Sequence, residues 1–385
     1  MSVDLRHPRM NTRVLAVFTL VALPLLAVGA VVALGIGQSQ LRGSFGLQLS
    51  RMAEQTASAI DAYVYRRVLD VSMLGRVPVV RAAAEAGSAL PFDGERVLDL
   101  DRSWQATGAV PPALASVLSS DAAVFVRDRA AQDVICREIM LTDHQGRLVA
   151  ASNMTSDYYQ ADEDWWRDAY GDGVTGRVSV TDVRWDESAR TYALEIAVPV
   201  PGRSSNDLAG VLKVVTDVRE MLALVGGARV GLTGEATLVR PDGSVVLSRH
   251  RLEPGSTFFA APLLRERLQS EPDAVSPFRL WFDASDADGE AQLVGLARSQ
   301  LDLSYPALTW IVAVSQGEAE LFEPVRGQAV NLLMVLGLAT VAVLILALWF
   351  SMRLAEPPID IDMKLVERPR VHRIAEEEET TAERA

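Results

Sequence analysis

The stretch with the most chemistry in its side chains is residues 157–170, which reads DYYQADEDWWRDAY. It sets aromatic rings among carboxylates directly after a predicted strand. Flat apolar walls beside a few oriented charges are what a small polar ligand requires. Packing of each single tryptophan against the protein's own core is the competing interpretation, because large aromatic side chains are usually buried. The combination of rings and charges favours a ligand site.

Motifs of the common enzyme classes are missing from the sequence. There is no G-x-S-x-G elbow, no glycine-rich phosphate loop, no CxxC pair and no HExxH. The four histidines are far apart: His7, His144, His250 and His372. Four such isolated side chains do not make a zinc site. We therefore predict no enzymatic activity, no metal and no cofactor.

Residues 283–290, DASDADGE, resemble half of a calcium loop. The spacing fails, because Ala284 stands where the first ligand should be and Gly295 where the bidentate glutamate should be. We predict a hairpin turn between two strands here.

Two apolar runs explain the high hydrophobic content of 49%. Residues 14–36 and 329–352 carry no charge, and each is long enough to cross a hydrocarbon core of about 30 Å as a helix. A cleaved signal peptide is the alternative for the first run, although its apolar part exceeds the roughly 7–15 residues of such signals. Basic residues precede the first run and follow the second. The positive-inside rule then predicts both termini in the cytoplasm and residues 37–328 outside.

The charge balance limits the kinds of partner the chain can bind, and the single cysteine limits how the fold can be cross-linked. A formal net charge of −13, with no basic stripe, argues against binding nucleic acid. Cys136 cannot form an internal disulfide, and we predict that it lies in a strand as a small hydrophobic side chain. The external region must therefore be held together by its apolar core.

Residues 38–86 contain no proline before Pro78 and predict one long helix. Within it, side chains recur at alternating spacings of four and three: Phe45, Leu49, Met52, Thr56, Ala59 and Tyr63. Such a seam covers either the helix's own domain or a second copy of the chain. We predict a homodimer.

The second half of the external region repeats the first. Strands are predicted at 135–141, 147–152, 177–183, 191–200 and 210–216. IMLTDHQGRLVAAS (139–152) aligns with ATLVRPDGSVVLSR (236–249), which places Gly146 and Gly243 at equivalent turns. Similarity at fixed spacing indicates a duplicated unit. The predicted fold class is α+β, with two tandem antiparallel-sheet modules on a long N-terminal helix, flanked by two transmembrane helices.

Four pieces carry a family resemblance: REIMLTDHQGRLVAAS, YYQADEDWW, ALEIAVPV and GVLKVVTDV, in that order. Together they resemble the double Cache, PAS-like extracellular sensor domains of bacterial membrane receptors. The resemblance covers about residues 38–328. It implies PAS-like modules, a small-molecule ligand in the membrane-distal module and a location in the bacterial inner membrane, with the sensor in the periplasm or outside the cell.

The predicted organisation follows the chain. It comprises a cytoplasmic N-terminus (1–13), a transmembrane helix (14–36), the long helix with its loops (37–120), the membrane-distal module (121–227), the membrane-proximal module (228–328), a second transmembrane helix (329–352) and a short cytoplasmic tail (353–385). The composition of the tail predicts disorder. Receptors of the family continue into a HAMP linker and an output domain, so the resemblance implies signalling through a separate partner. An accessory or interaction protein of the cell envelope without a ligand is the alternative function.

The resemblance also implies ligand-binding residues. Amino-acid-binding members of the family carry a tyrosine, an arginine, a tryptophan with a second aromatic, a Tyr-x-Asp on the next strand and an aspartate ending the last strand. Tyr158, Trp165 and Trp166 match the aromatic positions. Asp182 and Asp217 match the two aspartates. A surface carboxylate is the alternative for Asp182, and helix capping is the alternative for Asp217.

Two positions depart from the family pattern. Glu163 stands where the arginine should be, and Val180 replaces the strand tyrosine. The family arginine clamps the carboxylate of the ligand through a two-donor fork, whereas a glutamate repels a carboxylate. Aromatic walls with Glu163 and the two aspartates suit a cationic amine instead. A solvated loop is the alternative for Glu163.

Overall fold

The computed structural model describes residues 12–107, 110–203, 207–249, 255–270 and 280–353. Nearly all of the predicted tail and of the predicted N-terminal segment lies outside these residues. The chain divides into two units. One is Gly35–Gln328, and the other contains the described residues on either side, 12–34 and 329–353.

The long N-terminal helix is real but shorter at its C-terminal end than the sequence predicted. Helix α1 spans Thr12–Leu74, and helix α2 follows at Pro78–Ser88. Proline disfavours the helical conformation of the residue before it, and Val77 is accordingly extended, with φ −64° and ψ 134°. Pro78 then begins α2, where its fixed φ already suits a helix.

Eight further helices lie in the described residues: α3 (Gly94–Thr107), α4 (Ser116–Ser119), α5 (Asp121–Gln132), α6 (Asp164–Tyr170), α7 (Arg219–Gly227), α8 (Ala261–Ser270), α9 (Glu318–Leu321) and α10 (Glu323–Arg353). Within α10, Leu333–Arg353 is long and apolar enough to cross a membrane, with a mean hydropathy of 2.7. It is the one such segment in the described chain. A shorter apolar stretch, Thr19–Gly29, lies within α1, so the first transmembrane helix stays a prediction.

The first sheet contains β1 (Cys136–Thr142), β2 (Leu148–Ala151), β3 (Ser179–Val180), β4 (Arg184–Asp186), β5 (Thr191–Pro201) and β6 (Leu208–Asp217). The described strands are antiparallel in the order β2-β1-β6-β5-β3, and β4 also pairs with β5. The one strand predicted over 177–183 is reduced to β3, and β4 begins after it. We call this the distal sheet, after its predicted module.

The second sheet contains β7 (Glu235–Val239), β8 (Val245–Ser248), β9 (Leu280–Ser285), β10 (Ala291–Arg298) and β11 (Ile311–Gly317). Its antiparallel order in the described chain, β8-β7-β11-β10-β9, repeats the plan of the first. We call it the proximal sheet. The predicted hairpin at 283–290 is confirmed, because Asp286 and Gly289 form the turn between β9 and β10.

Helix α1 packs against both sheets and supplies one face of a shared core. Leu49 is 1% exposed in that core, and Phe45, Met52 and Tyr63 pack against it. A β-carbon on Gly295 of β10 would collide with the α1 backbone, so the two elements touch directly. The seam predicted to make a dimer therefore covers the helix's own domain, apart from exposed Ala59. The homodimer itself stays a prediction.

Each sheet turns its second face away from α1, and we call this the outer face. On the distal sheet α6 covers it, with Met140, Ala197 and Val211 in a separate core cluster that includes Trp165. On the proximal sheet, Leu264 of α8 packs there with apolar side chains such as Phe282. The two outer faces differ in chemistry.

Candidate functional site

Two charged side chains, Arg137 and Glu138, lie at a β-bulge in the first distal strand. Cys136 pairs with Thr216 and Glu138 pairs with Val215, so Arg137 is one extra residue in β1. Cys136 packs on the core that faces α1, whereas Arg137 bonds to Asp217 and Glu138 to Asn153. Bulges of this kind redirect side chains and are common beside functional sites.

Three charged side chains are buried together on this face, and we call Glu138, Glu195 and Lys213 the charge cluster. They are 0%, 3% and 6% exposed. The strand register places Glu138 and Glu195 on either side of Val215. Lys213 Nζ lies 3.1 Å from Glu195 Oε2. Charges are almost never fully buried unless they are paired, so the cluster needs a physical reason.

Glu195 is fully compensated. Besides Lys213, it holds the guanidinium of Arg184, whose Nη2 lies 2.9 and 2.8 Å from the two carboxylate oxygens. Lys213 Nζ also lies 4.7 Å from the centre of the Trp165 ring, a cation–π contact. Trp165 is thereby the predicted site residue that contacts the charge cluster directly.

Glu138 is compensated only in part. One carboxylate oxygen accepts a 2.9 Å hydrogen bond from Asn153, and the other, Oε1, has no hydrogen-bond partner among the described residues. Burial raises the pKa of Glu138 to about 7; the charge of Lys213 and the side chains of Asn153 and Ser188 oppose this rise, and the nearby Asp186 reinforces it. An unsatisfied buried acceptor is rare and costly in proteins. The carboxylate therefore loses or gains its proton near neutral pH.

The remaining predicted aromatic residues lie in the core of the module. Tyr158 is 7% exposed and packs beside Trp104, with ring centres 6.2 Å apart. Trp166 is also 7% exposed, donates to Thr142 Oγ1 at 2.8 Å and stacks on Tyr170. These contacts place both rings in the structural role that was the alternative for single aromatic residues.

The two predicted aspartates are held by arginines at different places. Asp182 pairs with Arg240 at 2.5 Å and accepts a 2.9 Å hydrogen bond from Trp310, so it joins the two modules. Asp217 pairs with Arg137 at 2.6 Å and with Arg219 at 3.1 Å. Burial would raise the pKa of Asp217, but the hydrogen bonds from the Arg137 side chain and from the Arg219 backbone N–H outweigh it, and the pKa is lowered.

Glu163 lies at the N-terminal end of α6 and is half-buried. Burial raises the pKa of Glu163, the negative charges of Asp157 and Asp162 add to the rise, and the positive charge of Lys213 opposes it. Lys213 is thus within electrostatic reach of Glu163. The structure brings Glu163 and Trp165 towards the charge cluster and holds the other four predicted residues in separate contacts.

Sequence reasoning missed the charge cluster, although its residues stood inside the quoted strands. Glu195 is the one charge in ALEIAVPV, Lys213 interrupts the apolar letters of GVLKVVTDV, and Glu138 precedes IML. A lone charge in a strand buried on both faces requires a partner on a neighbouring strand. That rule, applied to these strands, would have found all three.

Two of the openings beside the distal sheet are large. The larger, about 790 Å³, is lined by α2, α3 and the β1–β2 turn. Two arginines line it, Arg96 and Arg147, and Arg147 is already satisfied by Asp143 and by main-chain oxygens. The smaller, about 410 Å³, is a groove at the end of β5 and β6. Six of its lining residues carry charge or aromatic surface: Arg137, Trp185, Arg190, Tyr192, Asp217 and Arg219.

Neither the thiol nor the acidic residues form a metal site in the described chain. No group of three or more His, Cys, Asp or Glu side chains there is placed to hold an ion. Cys136 lies in β1 and packs on the core, as predicted, and burial raises the pKa of its thiol to about 11. The thiol is therefore neutral at ordinary pH.

No protein-family model matches the chain, and no curated protein matches it in sequence. Its structural neighbours are ligand-binding domains of chemoreceptors. One is the domain of Pseudomonas fluorescens CtaA with L-serine, at 16% identity, a TM-score of 0.43 and coverage of 72% of this chain and 99% of that chain. Another is the domain of Pseudomonas aeruginosa PctB with L-Arg, at 16% identity and a TM-score of 0.42. The match covers 72% of this chain and 96% of that chain.

A third neighbour is the domain of Campylobacter jejuni Tlp3 with L-norvaline, at 14% identity, a TM-score of 0.47 and coverage of 74% of this chain and 95% of that chain. These neighbours belong to the class of protein that the sequence resemblance named. The ligand of the present chain has to be argued from its own side chains.

Proposed function

We propose that this chain is a membrane-anchored extracytoplasmic sensor whose distal module binds a small molecule with a cationic amine. The observation that carries the proposal is the free Oε1 of Glu138, fully buried on the outer face of the distal sheet. An ammonium group is the natural partner of a desolvated carboxylate, through charge and hydrogen bonding together.

The local charge balance supports an added cation. Three carboxylates, Glu138, Asp186 and Glu195, stand near two cations, Lys213 and Arg184. Both cations are engaged by Glu195, which leaves Glu138 and Asp186 without a paired cation in the described chain, and Glu138 Oε1 is buried without a hydrogen-bond partner among the described residues. A bound ammonium would complete the set and keep Glu138 ionised.

The proposal keeps the cationic amine that was inferred from the sequence, but it assigns the binding of the ammonium group to a different acidic residue. The sequence argument rested on Glu163, Asp182 and Asp217, and the two aspartates already hold arginines. Among the described residues, Glu138 is the acid with a buried carboxylate oxygen that lacks a hydrogen-bond partner. Glu163 and Trp165 stay in the proposal as residues beside the charge cluster.

The alternative function, an accessory protein without a ligand, would be favoured by an exposed Trp165–Trp166 pair. Both rings are buried, at 4% and 7% exposed. A partner protein therefore has no access to them in this conformation, and the sensor is the function that we propose.

The membrane arrangement and the signalling route belong to the same proposal. We propose two transmembrane helices with both termini in the cytoplasm, a homodimer, and a separate signalling partner. The apolar helix Leu333–Arg353 supports one of the two spans. Ligand binding would signal by shifting a population between two states, which requires different affinities for those states.

A thermal-shift experiment on the full chain in detergent tests the function. The panel contains ethanolamine, putrescine, tyramine and benzylamine, together with amino acids, organic acids, purines and sugars. A ligand at about 100 times its Kd adds about 2.7 kcal/mol of stability. We expect an amine to raise the midpoint in the wild type and in Asp217→Asn, but not in Glu138→Gln.

Two outcomes contradict the proposal in different ways. If amines still raise the melting midpoint of Glu138→Gln, the chain is a sensor but Glu138 does not bind the amine. A folded wild type that responds to no compound in the panel removes the small-molecule function and favours the accessory protein.

A further inference from the structure

The groove at the end of the distal sheet is positively charged in a protein of net charge −13. Three arginines, Arg137, Arg190 and Arg219, and one acid, Asp217, line it. The residues at the N-terminal end of α7, Val218 and Arg219, also line it, and the partial positive charge of a helix N-terminus adds to the field. The groove therefore attracts anions.

Asp217, the acid in the groove, already has hydrogen-bond partners within the protein. Asp217 Oδ2 accepts from Arg137 Nη2 at 2.6 Å and from Arg219 Nε at 3.1 Å, and Oδ1 accepts from the Arg219 N–H at 2.9 Å. The Asp217 side chain is 4% exposed, whereas the side chains of Arg137 and Arg219 are 36% and 50% exposed. Each guanidinium has five N–H donors, so both arginines keep donors for a ligand.

Arg190 has no ion pair or hydrogen bond through its side chain within the described part of the chain. It ends the turn between β4 and β5 with a φ of +50°, the one positive φ of a described non-glycine residue. Glycine adopts this conformation without steric cost, whereas an arginine does not. The strained turn therefore holds an unpaired guanidinium at the rim of the groove.

The other wall of the groove is aromatic. Trp185 is 47% exposed and makes an edge contact with Tyr192, with ring centres 5.2 Å apart. A large exposed ring beside an unpaired guanidinium matches a ligand that is flat and negatively charged. The volume of about 410 Å³ lies in the range of small-molecule sites rather than of protein interfaces.

We infer that the groove binds a small aromatic carboxylate. Its carboxylate pairs with the guanidinium of Arg190 and with a free donor of Arg137, and its ring packs on Trp185. This site is separate from the amine site at Glu138, so each inference can fail without the other.

Calorimetric titration of the full chain in detergent tests the inference with matched probes. Benzoate carries the ring and the carboxylate, cyclohexanecarboxylate lacks the aromatic ring, and benzylamine reverses the charge. We expect benzoate to bind more tightly than cyclohexanecarboxylate. We expect Arg190→Gln to weaken benzoate by about tenfold or more, and Arg190→Lys to weaken it less, because lysine keeps the charge without the fork.

Variants at the two sites separate this inference from the amine site. Benzoate binding should persist in Glu138→Gln, and any benzylamine binding at Glu138 should persist in Arg190→Gln. Glutamine keeps the β-carbon of arginine, so the backbone strain of the turn is the same in wild type and variant. Saturable benzoate binding that is unchanged in Arg190→Gln, or no benzoate binding by a folded wild type, overturns the inference. Equal binding of benzoate and cyclohexanecarboxylate overturns the role of Trp185.

Discussion

The distal and proximal sheets share one plan but differ on their outer faces. The strand register makes Glu195 equivalent to Val294, and Lys213 equivalent to Ala313. The proximal positions are apolar and fully packed, and the distal ones form a buried ion pair. Buried ion pairs are often no more stabilising than apolar side chains of similar volume. Packing alone therefore does not explain the distal face, and the cationic ligand that we propose would give these charges a role.

Glu138 sharpens the contrast, because its equivalent is also a glutamate. The sequence repeat aligns Glu138 with Glu235, which is half-buried rather than fully buried. The same residue type is thus partly solvated in one module and enclosed with a free oxygen in the other. The difference lies in the surroundings, namely Lys213, Asn153 and Asp186.

The largest effect is expected from removing one partner of the ion pair. Glu195→Ala leaves Lys213 buried without its carboxylate, and we expect a loss of about 3–5 kcal/mol in unfolding free energy. Urea unfolding of the full chain in detergent, followed by tryptophan fluorescence, measures it. The double variant Glu195→Val with Lys213→Ala copies the proximal sheet and should lie within about 1 kcal/mol of wild type or above it. Equal losses in the single and double variants would contradict the comparison.

The next effect concerns pH. The folded-state pKa of Glu138 is about 7, above the ordinary value of 4.5, so between these values the unfolded chain binds fewer protons than the folded one. The contribution of Glu138 to stability therefore falls as pH rises from about 4.5 to 7. We expect Glu138→Gln to be more stable than wild type by about 3 kcal/mol near pH 8, with the gap closing near pH 4.5. A gap that is independent of pH would show that Glu138 is solvated.

Equivalent turns in the two modules should lose similar stability when their glycine is replaced by alanine. Gly146 and Gly243 both have a φ of +80°, and a β-carbon on either would collide with an alanine, Ala161 or Ala261. We expect Gly146→Ala and Gly243→Ala each to cost roughly 1–3 kcal/mol in urea unfolding. Gly227→Ala is the control, because nothing lies within 4 Å of its β-carbon. Very different costs at the two turns would argue against a duplicated unit.

The smallest effect is expected where the modules meet. Asp182→Asn removes the charge that holds Arg240 but keeps an acceptor for Trp310, and we expect a loss of about 1 kcal/mol. Amine affinity should not change, because Asp182 serves the junction between the modules. A thermal shift with and without the amine measures both. Loss of amine binding in this variant would restore the ligand site that the sequence predicted.

The sequence predicted the architecture well because the strands and turns of both modules are specified by residues close together in the chain. Turn glycines such as Gly146, and apolar strands such as 191–200, mark elements without reference to distant residues. The end of α1 was missed because the effect of Pro78 on Val77 was not applied. The heptad seam was misjudged because the same periodicity serves packing within a domain and packing between chains.

The site was harder to predict because it depends on register. A motif in one loop drew attention to Trp166 and Tyr158, whose partners, Thr142 and Trp104, are distant in sequence. Glu138 shares the outer face with Met140 by ordinary alternation, but the bulge at Arg137 breaks that alternation before it, so the face of Arg137 cannot be inferred from the sequence pattern. The register between paired strands determines which charged side chains come into contact, and this register cannot be read from a single sequence.

The most direct test of the central claim is the number of protons released when the amine binds. Near pH 6 the Glu138 carboxyl is mostly protonated, so binding an ammonium there must expel a proton. Titration calorimetry of the tightest amine, in two buffers of different ionisation enthalpy, measures that release. We expect release near pH 6, almost none near pH 8.5, and none in Glu138→Gln at either pH. Identical heats in the two buffers near pH 6 would contradict the claim that Glu138 anchors the ligand.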